Sequence, residues 1–300
     1  MHTQSTSRSR LLRIVVLRQC AKVVLAVLLG GIAGAALARY SAGFGIDERE
    51  MDARRSSASI ENIRHSRSEG ADFAVFCFSF LRGMAHGELG FSTTLNRPVA
   101  DLIRERIAVT FAEICEGLAL AIVASSILAG LAAMRLSRVL GAASELVASV
   151  SLCLPVAILG YLCLLLRVAP FWAVAACTFP HLFRYTANLL DLADRKNHVI
   201  AARARGVSRF RLHTIHRLLP CVPELLATLS LVVSIAFGST IPIEFATETP
   251  GLGQLAWQAA SSRDLALLCV LTMFTAALVL SASGVAELSR VWCFGERGAE

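Results

Sequence analysis

Residues 111–134 run FAEICEGLALAIVASSILAGLAAM, twenty-four positions whose only charged groups, Glu113 and Glu116, stand near the start. At a helical rise of about 1.5 Å per residue the run reaches about 36 Å, more than a bilayer hydrocarbon core of about 30 Å. The stretch is continuously apolar, whereas a lipid-facing strand would alternate apolar and polar side chains over about ten residues. It therefore reads as a membrane helix.

The same test, carried outward, finds Ala21–Tyr40, Ala142–Leu166, Val168–Leu190, Leu225–Phe245 and Leu265–Leu288. The sequence thus predicts an all-α integral membrane protein with about six transmembrane helices. Composition agrees: of 300 residues, 55% are hydrophobic and only 17% charged, and the apolar ones are gathered into runs. Segment Phe73 to Leu81 is apolar but too short to span, so it is counted as a non-spanning helix.

Arginine and lysine beside the runs set the orientation. Arg8, Arg10, Arg13 and Arg18 precede the first run, Arg135 and Arg138 follow the second, and the segment after the fourth holds Arg195, Lys196, Arg203, Arg205, Arg209, Arg211 and Arg217. These read as cytoplasmic, while the opposite connections hold only Arg167 and Arg263. The long segment from Ser41 to about Arg106 is also arginine-rich, but loops beyond about 60 residues cross regardless of charge. Both termini are expected inside. The layout is then a tail and first helix at 1–40, an extracytoplasmic loop or small subdomain at 41–106, a five-helix core at 107–290 with a cytoplasmic loop at 191–220, and a cytoplasmic tail at 291–300. Ala36, Leu37 and Ala38 imitate a signal-peptide cleavage site, but the apolar run before them is longer than the 7 to 15 residues usual for such a segment, which favours a retained helix.

Several function classes drop out. The net charge of +7 sits in short tracts beside apolar runs, which suits topology and anionic lipid better than nucleic acid. The nine cysteines form no CxxC pair and read as small apolar filler, with no disulfide expected. Lys22 and Lys196 are the only lysines and neither follows a glycine, so the chain cannot supply a phosphate-binding P-loop. No HExxH, GxSxG or histidine cluster offers a hydrolytic centre, and no metal or cofactor site is expected. Charges inside a bilayer are functional candidates by default. Glu116 falls about 28 Å from Arg135, at the rim rather than the midplane. Glu145 and Arg184 fall near the inner face, which leaves a proton-driven mechanism without support. Pro155 and Pro180 interrupt their helices.

The loop at 191–220 contains Ala201, Ala202, Arg203, Ala204, Arg205, Gly206, Val207 and Ser208, then His216, Arg217, Leu218, Leu219 and Pro220. Good helix formers precede a glycine that permits a turn, and a second helical stretch runs toward Pro220. Periodicity leaves a helix–turn–helix and a solvated basic loop equally open. The run resembles the EAA loop of ABC importer permeases, and its Ala-Arg-Ala-Arg-Gly form is similar to the dipeptide, oligopeptide and nickel branch. Ile200 stands where the motif's glutamate would, and Asn197 with His198 replace a frequent Asp-Tyr pair. The resemblance implies that Ala201, Ala202, Arg203, Ala204, Arg205, Gly206 and Pro220 form a coupling helix and turn that dock on a separate ATPase subunit.

Three more stretches match in order. His86 to Ser92, with Gly87 and Gly90, is similar to the family's Gly-Asp-Leu-Gly-x-Ser, and Pro98 with Val99 follows; Glu244 precedes Pro250, Gly251, Leu252 and Gly253; then come Arg263 and Asp264. The resemblance implies that Gly87, Gly90, Glu244, Pro250, Gly251, Gly253 and Asp264 form an outer gate or binding-protein contact. It further implies a multi-pass protein of the bacterial inner membrane that is half of an importer for a small solute, most often a di- or oligopeptide, working by alternating access. Its partners would be a second permease subunit, two ATPase subunits that use ATP and Mg, and an extracytoplasmic solute-binding protein. An ATP-independent secondary transporter or channel, or a membrane anchor or sensor, are the alternatives.

Overall fold

The computed structural model describes residues 16–30, 33, 89–92, 94–133, 138–262 and 264–294. Gly34, Cys77, Gly87, Arg135, Arg263, the segment 73–81 and both ends of the chain lie outside them. Residues 16–30 form helix α1. A two-residue antiparallel ladder, β1 (Phe91–Ser92) with β2 (Arg97–Pro98), then leads into α2 (Val99–Ala133). The remaining elements are α3 (Arg138–Cys153), α4 (Val156–Leu166), α5 (Phe171–Asp194), α6 (Asn197–Ala204), α7 (Arg209–Arg211), a π-helical turn (Leu212–Leu218), α8 (Leu219–Ala246), α9 (Leu252–Ser261) and α10 (Leu265–Phe294).

Among the described residues three helical stretches are long and apolar enough to cross a membrane, namely Val99–Ala133, Leu212–Ala246 and Ala266–Val285. The predicted span Ala142–Leu166 is not one rod. Its halves α3 and α4 are bent by 106°. Pro155 supplies the reason: it sits extended, at φ −56° and ψ 138°, just before α4, and its missing N–H cannot continue α3. Counted as one broken span, the pair makes four. Pro180, which carries the same signal, lies buried inside an unbroken α5. That helix also carries His181, Arg184, Asp191 and Asp194 and is not among the apolar stretches. The predicted first span is helical over 16–30, where Gln19 Nε2 donates to the Leu280 carbonyl of α10 at 3.0 Å.

Small residues set the closest approaches. Gly117, Ala121, Ser125 and Ala129 recur every fourth position of α2 and are buried. A Cβ on Gly117 would lie 2.8 Å from the Val174 side chain and 2.9 Å from the Phe171 carbonyl of α5. This small-xxx-small stripe lets α2 and α5 pack backbone to backbone, where apolar lipid gives helices little other reason to associate. Further along, Ala121 and Ala129 pack in one cluster with Phe179, Leu182 and Phe183. Gly160 gives α4 the same approach to α8, beside Ile243 and Ala246. Arg184 on α5 pairs with Glu145 of α3 at 2.9 Å and donates to Ser149 Oγ at 2.7 Å, so both charges satisfy each other. Glu113 is buried with neither oxygen hydrogen-bonded.

Candidate functional site

The chain's unusual polar geometry gathers at the two ends of α8, a helix of 28 residues and hence about 40 Å long.

At the first end α6 is closed by Gly206, whose φ of +74° is open to glycine at little cost. The Gly206 N–H donates to the Arg203 carbonyl at 3.0 Å and the Val207 N–H to the Ala202 carbonyl at 3.3 Å. These two reversed bonds make a Schellman stop, and its usual apolar contact is present: Val207 packs on a small core of Val199, Ala202 and Leu212. The helix–turn–helix is thus the arrangement found, with a self-contained core beneath it. Its outward face carries Ile200, Ala201, Arg203, Ala204 and Arg205, all exposed. Ala202 is fully buried while its neighbour Ala201 is exposed, because adjacent helical residues point about 100° apart.

Three side chains that the sequence reading left out of the site, His198, Asp194 and Arg217, secure this unit. His198 Nε2 donates to the His216 carbonyl at 3.1 Å. A helical residue at 220 would return its own N–H to that carbonyl; Pro220 has none. Asp194, the last residue of α5, pairs with Arg203 of α6 at 2.8 Å and also with Arg217 of the π turn. Arg217, itself buried, donates through Nη1 to the carbonyl of Ala133, the last residue of α2, at 3.2 Å.

At the far end of α8 the Glu244 carboxylate is fully buried. It accepts from Thr110 Oγ1 at 2.6 Å, the Gly253 N–H at 2.7 Å and the Gln254 N–H at 3.1 Å, while Thr110 Oγ1 accepts from the Leu252 N–H at 2.8 Å. The carboxylate therefore caps the first turn of α9, where free N–H groups and the helix dipole favour an anion. The two glycines are needed for space. Gly251 is extended, at φ −106°, and a Cβ there would overlap the Glu244 carboxylate; a Cβ on Gly253 would lie 2.7 Å from the Ile241 Cα. Pro250 is exposed beside them.

Asp264 forms a second cap. Its Oδ1 accepts from the Leu267 N–H at 3.1 Å in the first turn of α10, and its Oδ2 accepts from Ser92 Oγ at 2.7 Å and the Thr94 N–H at 3.1 Å. Gly90, with φ +77°, turns the chain so that its carbonyl takes the Val99 N–H at 3.2 Å. The motif residues Gly90, Glu244, Gly251, Gly253 and Asp264 are thus brought together as two capped joints, with Thr110 and Ser92 as their partners. An aspartate immediately before an apolar run was a readable cap signal; Thr110, 134 positions before Glu244, gave none.

At both joints the polar groups spend their hydrogen bonds on fixing helix ends: Thr110 and Glu244 hold the start of α9, and Ser92 and Asp264 hold the start of α10. The model of the binding-protein-dependent transport system inner membrane component matches residues 121–290. The oligopeptide transport system permease protein AppB of Bacillus subtilis (strain 168) is 26% identical over 122 residues, 40% of this chain and 38% of that protein. The match therefore spans well under half the length of the curated relative. Residues 121–290 contain the Gly206 turn, all of α8 and both caps after it, and on that match the chain belongs to the family of binding-protein-dependent transport system inner membrane components, the membrane-embedded transport subunits of ABC importers.

Proposed function

We propose that the chain forms half of the pathway of an ATP-driven importer, moving a small solute, a di- or oligopeptide, by alternating access. The observation that carries this reading is the α6 unit. It is a short helix on its own buried core, stopped by a left-handed glycine, presenting Ile200, Ala201, Ala204 and Arg205 to solvent. Such a knob suits the groove of an ATPase subunit, because a docked helix needs a rigid backbone and a small-residue face. The peptide assignment draws on the name of the Bacillus subtilis relative.

In this mechanism two ATPase subunits bind ATP with Mg, close, and draw together the α6 knobs of this chain and a second permease subunit. The outer caps then part toward an extracytoplasmic solute-binding protein. The test is co-purification. The wild-type chain should bring down an ATPase subunit in stoichiometric amount, and Ala201→Trp should lose it while remaining in the membrane. An unaltered yield of partner with Ala201→Trp would remove α6 as the docking element.

A further inference from the structure

We infer that Asp194 is a positioning residue which, through Arg203 and Arg217, locks the coupling helix α6 to the ends of α2, α5 and α8, so that a stroke on α6 moves all three. The inference rests on the coupling reading above but concerns residues outside the docking face.

The geometry has one node. Asp194 ends α5 and its Oδ1 receives both Arg203, on α6, and Arg217, in the π turn that leads into α8. Arg217 also reaches the last carbonyl of α2, at Ala133, where the negative end of a helix dipole favours a cation. Three long helices, α2, α5 and α8, and the coupling helix therefore meet through three side chains, Asp194, Arg203 and Arg217. A guanidinium keeps its charge under all ordinary conditions. With its side chain only 8% exposed, Arg217 depends on Asp194 for compensation, and removing one partner of a buried pair leaves the other uncompensated. Arg203, 55% exposed, is the yielding arm.

The widened turn at Leu212–Leu218 supports the same assignment. His213 and Arg217, four residues apart in this turn, lie on one face and are both buried. Gly130 of α2 leaves the room: a Cβ there would lie 3.1 Å from His213 Nε2.

Asp194→Asn and Arg217→Gln, compared with Asp194→Glu, test this in the full complex and in the isolated chain. In the complex, with ATPase subunits still co-purifying, ATP hydrolysis stimulated by loaded binding protein should fall at least tenfold in the first two variants, and Asp194→Glu should keep most of it. The double variant Asp194→Asn/Arg217→Gln should be no worse than either single, since both break one link. In the isolated chain, tryptic cleavage after Arg203 or Arg205 should quicken about fivefold in Asp194→Asn, because α6 loses its tether. Wild-type stimulation in Asp194→Asn would overturn the transmission role, and unaltered cleavage would overturn the clamp. Failure of the wild-type chain to hold any ATPase would instead defeat the proposed function, with the cleavage assay still reading the clamp.

Discussion

His198 of α6 donates to the His216 carbonyl at 3.1 Å, the acceptor that Pro220 leaves without a helical N–H. The proline at the foot of α8 thereby does more than begin a helix: it frees one carbonyl, and α6 takes it. Since a carbonyl can only accept, Nε2 carries the proton in this contact. Replacement of His198 by alanine should loosen α6 by about 1 kcal/mol, the usual net worth of one hydrogen bond. In a Pro220→Ala background the helix regains its own donor, and the same replacement should then cost close to nothing. Equal losses in both backgrounds, read from tryptic cleavage of the loop, would break the link between His198 and Pro220.

Ala201 and Ala202 should respond in different ways. Ala202 is packed against Val199 and Leu212, so Ala202→Trp overfills a small core and should unfold the turn, with faster cleavage at Arg205 even without a partner. Ala201 is exposed, so Ala201→Trp should leave cleavage unchanged and act only on ATPase binding. Matching phenotypes for the two would mean that neither the inner core nor the outer face is as described.

The Glu244 joint predicts a loss of stability. Glu244→Ala leaves the Gly253 and Gln254 N–H groups and the Thr110 hydroxyl without their acceptor, each orphan costing about 1 to 3 kcal/mol. Thr110→Val removes one donor and the acceptor for the Leu252 N–H, and should cost less. Thermal unfolding in detergent should rank Glu244→Ala below Thr110→Val, and both below wild type. A reversed order would move the joint's centre from the carboxylate to the hydroxyl.

What could be read from the chain follows the range of the interaction. The Gly206 turn is written locally, because helix formers followed by glycine specify a left-handed stop within six residues. The apolar runs likewise disclose α2, α8 and α10, since burial in lipid depends on composition alone. Hydropathy carries no direction, and only the proline marked the break in that run: the interruption expected at Pro155 is present, the one expected at Pro180 is not, and nothing local separates the two. Gly251 and Gly253 stood out only through the family resemblance, because what requires them is close approach to Glu244 and Ile241, which depends on how α9 folds back. Asp194, Arg217 and Thr110 act on residues 9 to 142 positions away, beyond any spacing rule.

Gly253 gives the sharpest test of the Glu244 joint. Alanine is a better helix former than glycine, so local propensity predicts that Gly253→Ala, inside the first turn of α9, should stabilise the protein by up to about 1 kcal/mol. Packing predicts the opposite. The added methyl would sit 2.7 Å from the Cα and 2.8 Å from the N of Ile241, backbone atoms in α8 that cannot rotate aside. To admit it, α9 must lift from α8, which draws the Gly253 and Gln254 N–H groups off Glu244 and uncovers a buried carboxylate. A loss of about 2 kcal/mol or more is therefore expected, against a gain at an exposed control glycine such as Gly238, which lies within α8 with nothing inside 4 Å of its Cβ position. The two substitutions share their chemistry, one in a first turn and one in a helix interior, and differ most in what surrounds the methyl. If Gly253→Ala and Gly238→Ala raise the unfolding temperature alike, α9 does not rest on α8, and the capped joint at Glu244 fails with it.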